Sequence, residues 1–338
     1  MSVIMKASFS KEELIATLRQ SGLNEGQTAV VFASLFDLGF PACQGVNLAR
    51  FYLDALFEIV GESGVVAIPA FTYTCGQGVS FQPYTDKSTV NVLANYCIDH
   101  HIGCRSVHPV FSYILLTAYD LRCLDARKHH SPCPELPEES QYSKLRELSF
   151  SNVCLDSNEH SIAGYLLAHN ARYIMLGNIC FFTFFHCIEQ QLKSPNRFFK
   201  RFRVKIVDNI HAPDSPDNKS IDPYDAYYFV RYLCPNTEWR VFMDCFERCQ
   251  TMAQERQEPT LFNHYTLGKG LIWSGDLNFM WQCFLLFLQE NISIGCVGPT
   301  LTPKQTAHYR DPFATAPQDL QRYYYQVWDL HQAAKNTN

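Results

Sequence analysis

The chain has 338 residues, of which 47% are hydrophobic, 14% aromatic and 18% charged, with a formal net charge of −5. That balance is globular and excludes extended disorder, while the mild acidity, with a pI near 6.2, points to no nucleic-acid partner. Fourteen cysteines are scattered along the chain with no C-x-x-C pair and no zinc-type Cys/His spacing, so they read as reduced thiols of a cytoplasmic protein.

Ser10-Lys-Glu-Glu13 has the form of an N-cap followed by acidic residues, and Leu14, Ile15 and Leu18 continue it as a helix ending near Ser21-Gly22. This charged start reads as a helix and not as a signal peptide. Thr28 to Phe32 reads as a buried strand, Leu48 to Val60 as a helix stopped by Gly61, and Val65 to Ile68 as a strand closed by Pro69. Strand, helix and strand in this order predict a layered α/β sandwich with a central, largely parallel or mixed sheet flanked by helices. The polar stretch Gly76 to Lys87 reads as a loop of the kind that lines sites. Ser88 is the expected cap of a helix from Thr89 to His100, and a short helix is expected from Ser112 to Tyr119. His129 and His130 fall in a proline-rich loop, where solvated side chains are a simpler account than a metal pair. Ser161 to Ala168 is helical, and Tyr173 to Leu176 is a strand.

Beyond about residue 205 the pattern changes. Arg203 to Val207 and Ala226 to Leu233 are strand-like around a polar loop from Ala212 to Pro223. Trp239 to Gln257 is an amphipathic helix, with Cys245 and Cys249 one turn apart on its apolar face, and Thr260 to Trp273 reads as two short strands turning at Gly268-Lys-Gly270. Phe279 to Leu288 is about half the length that a membrane span needs and reads as a buried helix. The expectation is one α/β domain over residues 1–338, with a β-rich subdomain at 205–275 contributing to an acceptor pocket. The tyrosine cluster Tyr323 to Tyr325 in the polar tail offers a homodimer contact.

The stretch Thr183-Phe-Phe-His186-Cys-Ile-Glu189 follows the strand at Tyr173 directly. Three residues is just under one helical turn, so His186 and Glu189 project from one face. A carboxylate there holds an imidazole in one tautomer and stabilises its protonated form, as a general base near neutral pH requires. The bland alternative for a histidine in an aromatic run is a hydrogen-bonded core residue. Cys187 adjoins His186 and invites a covalent reading, but adjacent helical side chains diverge by about 100°. H-x-x-E lacks the second histidine of a zinc helix.

Three further blocks precede this one in order: Gly26-Gln-Thr-Ala-Val-Val-Phe-Ala-Ser34-Leu35, Val66-Ala-Ile-Pro69-Ala-Phe-Thr72-Tyr73 and Arg105-Ser-Val-His108-Pro-Val-Phe-Ser112. Together the four blocks resemble the aminoglycoside 3-N-acetyltransferase family, whose members pair G-D-x-V-x-V-H-[ST]-S-L, M-P-x-[FY]-T, R-S-x-H-P-x-x-S and T-x-x-H-x-x-E. The last two are met nearly letter for letter, and the similarity covers roughly residues 8 to 205. The resemblance implies an acyl-coenzyme A dependent N-acyltransferase, with acetyl-CoA as donor and a small-molecule amine as acceptor. His186 carries over as the base and Glu189 as its orienting carboxylate. Ser34 and Leu35 carry over to the turn beside the pantetheine and thioester end of the coenzyme. Ser106, His108 and Ser112 are assigned to the acyl-CoA channel or to support of the dyad, with turn-bracing buried groups as the alternative. Arg105 is assigned to coenzyme phosphates or to a structural ion pair. Backbone N–H groups near Ser34-Leu35 or Thr72 are the expected oxyanion donors.

One departure is clear: the family's H-[ST]-S-L is Phe32-Ala33-Ser34-Leu35 here. The replacement leaves open a different acyl donor or a non-catalytic homologue that binds without turnover, and a hydrolase or thioesterase using the same dyad on water also stays open. Mild rather than strong acidity favours an amino sugar or related metabolite over a polycation as acceptor, an antibiotic being one acceptor among several.

Overall fold

The computed structural model describes residues 8–42, 47–72, 81–106, 108, 110–135, 145, 161–178, 182–192, 197–207, 220–231 and 237–290. Helix α1 (Lys11–Gln20) starts where expected: Ser10 Oγ accepts the Glu13 N–H and the Glu13 carboxylate accepts the Ser10 N–H, a reciprocal cap. Strand β1 (Thr28–Ala33) is followed by α2 (Leu48–Val60), whose N-cap Asn47 accepts from the Ala49 and Arg50 N–H groups and whose end is Gly61 at φ +67°. Strand β2 (Val65–Pro69) pairs with β1 in parallel.

Two expectations change in the next stretch. Helix α3 spans Val92–Asp99 and is capped by Asn91, whose side chain accepts from the Leu93 N–H. Ser88 lies outside the helix, its Oγ accepting from the Val90 N–H. The helix expected from Ser112 is instead strand β4 (Tyr113–Leu116), which pairs antiparallel with β2 on one side and with the short β3 (Cys104–Arg105) on the other. Its four residues are all apolar because both faces are covered, so alternation is missing and periodicity alone does not identify it. Helix α4 (Ala118–Lys128) follows.

Helix α5 (Ile162–Ala168), capped by Ser161, leads into β5 (Arg172–Leu176), parallel to β1. Helix α6 (Phe185–Gln191) comes next. Strands β6 (Arg197–Val207) and β7 (Ser220–Arg231) form a separate antiparallel pair. Helix α7 (Thr237–Glu255), strands β8 (Phe262–Leu267) and β9 (Gly270–Asp276), and helix α8 (Leu277–Glu290) complete the described chain. Of the stretch expected as a β-rich subdomain, only β6 and β7 stand apart; β8 and β9 join the central sheet. The tail with Tyr323 to Tyr325, and the dimer contact expected there, lie outside the described residues.

The sheet order is β3-β4-β2-β1-β5-β9-β8. Three parallel strands, β2, β1 and β5, form its centre, and an antiparallel pair flanks them on each side. Alternation along β1 separates two cores. Val30 and Phe32 pack with α5, α6, α7 and α8, while Ala29, Val31 and Ala33 pack with α1, α2 and α3. The result is the expected α/β sandwich, with a mixed sheet. Cys245 and Cys249 are buried as expected, as is most of α8. Among the described residues no helix is long and apolar enough to cross a membrane.

Candidate active site

The carboxyl ends of parallel strands are where open α/β sheets present their crevices, and the four sequence blocks converge on the ends of β1, β2 and β5. At the end of β1, Ser34 donates its N–H to Leu176 O at 2.8 Å, tying it to the end of β5. Gly177 then turns at φ +105°, where an added Cβ would lie 2.5 Å from Ser34 O. Only glycine allows the chain leaving β5 to pass this close to β1.

Past that turn, Phe185 N–H donates to Phe182 O and His186 N–H to Thr183 O at 3.1 Å, so a tight turn sets up α6. Within α6, His186 Nδ1 and Glu189 Oε2 are 2.9 Å apart. His186 is 8% exposed and Glu189 2%. A carboxylate on Nδ1 fixes the tautomer with the proton there and leaves Nε2 as the acceptor nitrogen, the form in which an imidazole takes up a proton. The His186 ring lies 5.1 Å from that of Phe111 with planes 24° apart. Cys187 is buried in the core cluster, in keeping with its divergence from His186.

The Arg105 to Ser112 block builds the wall behind the dyad. Arg105 is 2% exposed. Its guanidinium donates to Ser112 Oγ at 3.1 Å, Pro83 O at 2.7 Å, Asp86 O at 2.5 Å and also Ala70 O, and lies over the Phe81 ring. Burial pulls it down to about 9. The expected phosphate contact is therefore corrected: this cation gathers loop carbonyls. Ser112 Oγ donates to Ala70 O at 2.8 Å, and Ser106 Oγ accepts the Tyr113 N–H at 2.9 Å. His108 Nδ1 accepts from the N–H groups of Val110 at 3.2 Å and Phe111 at 2.8 Å, and burial pulls the imidazole down to about 3. It is a neutral ring with its proton on Nε2. These buried side chains brace turns, the alternative that the sequence offered for Ser106, His108 and Ser112.

Two further expectations shift. The amides of Ser34 and Thr72, expected as oxyanion donors, are spent on Leu176 O and Val110 O, prolonging the sheet. The Leu35 side chain packs in the core of the opposite face. Ser34 itself stays half-buried at the sheet edge. Phe32 explains the sequence departure physically: its ring sits 5.3 Å from Tyr173 and 6.2 Å from Phe71, filling the core where the family motif carries a histidine. Among the described residues no group of three His, Cys, Asp or Glu side chains is placed to hold a metal ion.

Sequence reasoning missed Phe111, Tyr113 and Tyr173. Thr183 at the head of the H-x-x-E motif was a signal for the last two, since a hydroxyl buried among aromatic residues needs a partner.

No family model matches the chain, and no curated protein matches it in sequence. Solved structures match its fold. The structure of AAC-IIIb, a binary complex with CoASH, is 16% identical with a TM-score of 0.58, covering 87% of this chain and 100% of that one. The apoenzyme of aminoglycoside acetyltransferase AAC(3)-IVa is 14% identical with a TM-score of 0.56, covering 96% of this chain and 100% of that one. The YokD protein from Bacillus subtilis is 14% identical with a TM-score of 0.54, covering 83% and 99%. The likeness extends over nearly the whole of each of these chains and establishes the fold.

Proposed function

We propose that this protein is an acyl-CoA dependent N-acyltransferase, with acetyl-CoA as donor, acting on a primary amine of an amino sugar, an aminoglycoside or a related small metabolite. The observation that carries this reading is the buried His186–Glu189 pair at the carboxyl edge of the parallel strands, in a fold shared with aminoglycoside acetyltransferases. At neutral pH such an amine is an ammonium ion and must lose a proton before its nitrogen attacks. His186 takes that proton at Nε2, and Glu189 offsets the charge that forms on the ring. A positioned base of this kind is worth about two to four orders of magnitude in rate. As the new C–N bond forms and the C–S bond of the thioester breaks, His186 passes its proton to the departing thiolate, and the second proton that the nitrogen sheds on becoming an amide goes to solvent. Of the residues expected beside the coenzyme, Ser34 retains partial exposure and fits that place; Arg105 does not fit a phosphate contact.

The test is free-thiol release from acetyl-CoA with and without a panel of amino sugars and aminoglycosides, for wild type and His186→Ala. Amine-dependent release that disappears in the variant supports the reading. Release without amine would make the protein a hydrolase, and coenzyme A binding without release under any amine would overturn the catalytic role.

A further inference from the structure

Thr183 opens the turn that delivers the dyad, and two phenols from different parts of the sheet hold it. Its carbonyl accepts the His186 N–H at 3.1 Å. Its Oγ1 is hydrogen-bonded to the Tyr113 hydroxyl at 2.8 Å, and the Tyr173 hydroxyl lies near enough to interact with the backbone and the side chain of Thr183. Tyr113 comes from β4 and Tyr173 from β5, with β2 and β1 between them. Both phenols are buried, as is Thr183.

The neighbours of Thr183 are gripped as well. Phe184 stacks on Tyr113 at 5.8 Å and meets Tyr173 edge-on at 6.0 Å, while Phe182 meets Tyr173 at 5.2 Å. Tyr113 is itself fastened at the backbone, donating to Ser106 Oγ and accepting the Ser106 N–H at 2.8 Å. Burying a hydroxyl costs free energy that a phenylalanine would not incur. Here the Tyr113 and Thr183 hydroxyls offset that cost by bonding to each other, which ties the turn to the sheet.

We infer that Tyr113 and Tyr173 clamp Thr183 and thereby set the position of His186 against the carboxyl edge of the sheet, which makes both of them positioning residues for the dyad. The effect on turnover rests on the acyltransferase reading; the effect on the imidazole does not. A displacement of about 1 Å at a reacting group costs up to about a hundredfold in rate, so a clamp remote from the chemistry matters to it.

The experiment compares Tyr113→Phe, Tyr173→Phe, Thr183→Val, Thr183→Ser and the double variant Tyr113→Phe/Thr183→Val. Protein labelled with ¹⁵N-histidine gives the ring-nitrogen shifts, with the His186 signals identified by their loss in His186→Ala, and thiol release gives kcat and KM. The phenol variants and Thr183→Val are expected to move the His186 ring shifts and to lower kcat about ten- to a hundredfold, leaving the KM for acetyl-CoA unchanged. Thr183→Ser, which keeps the hydroxyl, is expected to match wild type. The double variant is expected to be no slower than Thr183→Val alone, since both changes remove the same bond. Unmoved His186 shifts in every phenol variant, with only the melting temperature lowered, would overturn the clamp. If wild type releases no thiol with any amine, the acyltransferase reading fails, and the ring shifts still decide the clamp.

Discussion

Phe111 donates its backbone N–H to His108 Nδ1 at 2.8 Å and lays its ring 5.1 Å from that of His186. One residue therefore links a buried, neutral histidine that braces a turn to the histidine of the dyad. The Phe111 ring is also stacked with His108 at 5.7 Å. The imidazole of His186 is thus held at one edge by a carboxylate and beside a nearly parallel aromatic plane.

Phe111→Leu tests that arrangement. Leucine keeps the apolar character but removes a stacked pair worth about 0.5 to 1.5 kcal/mol. The expected outcome is a modest loss of stability by denaturant titration and a fall in kcat of up to about tenfold. The Glu189 bond still fixes the tautomer, so the variant retains far more activity than His186→Ala.

Glu189→Gln separates orientation from charge. The amide oxygen still accepts the Nδ1 proton, so the tautomer persists, but the negative charge that stabilises the imidazolium is gone. Turnover is expected to fall by about two to three orders of magnitude, with KM for the thioester little changed. A variant as active as wild type would show that the buried carboxylate serves packing alone.

The hydrogen-bonded contact of His186 with Glu189 was legible in the sequence because they lie three apart on one helix, and local spacing fixes local geometry. The caps at Ser10 and Asn47 and the stop at Gly61 made α1 and α2 equally plain. What stayed hidden depends on register between distant segments. Tyr113 and Tyr173 meet Thr183 only because β4 and β5 stand three places apart in one sheet, and no periodicity encodes that. Strand β4 was misread as a helix because Tyr113 and Leu115 face one core and Ile114 and Leu116 the other, which erases the two-residue pattern. The partners of Arg105 were hidden because a cation is rarely buried without a carboxylate, whereas here carbonyl oxygens from two segments of the chain take its place.

Gly177→Ala probes the contact between the ends of β1 and β5. At φ +105° an alanine is strained, and its Cβ would press on Ser34 O at 2.5 Å, against backbone that has little room to retreat. The loss of stability is expected to be about 2 to 4 kcal/mol. Activity should fall beyond what unfolding explains, because Ser34 and the chain leading to His186 are forced apart. Chemical denaturation and thiol release on the same preparation separate the two effects.

Two buried groups give the stability a pH dependence of opposite sign. Burial pulls His108 down to about 3 from an ordinary 6.5, so between those values the unfolded chain binds a proton that the folded one does not, and stability is lost as pH falls. Burial pushes Asp120 up to about 6 from 3.8, although its carboxylate accepts from the Thr117 N–H, the Thr117 hydroxyl and the Gly103 N–H. In its window the folded chain binds the extra proton, and stability is lost as pH rises. Between about pH 4 and pH 6 the two slopes, each about 1.4 kcal/mol per pH unit, cancel. Each single variant unmasks the other group. His108→Asn keeps an acceptor near the Nδ1 position and removes the titration, so relative to wild type it should gain stability as pH is lowered from 6 to 4. Asp120→Asn loses an acceptor for Thr117 and is less stable at neutral pH, and relative to wild type it should lose about 3 kcal/mol more over the same range. Urea titrations of the three proteins at pH 4, 5 and 6 read these slopes directly; parallel curves would mean that neither group is buried in the state that unfolds.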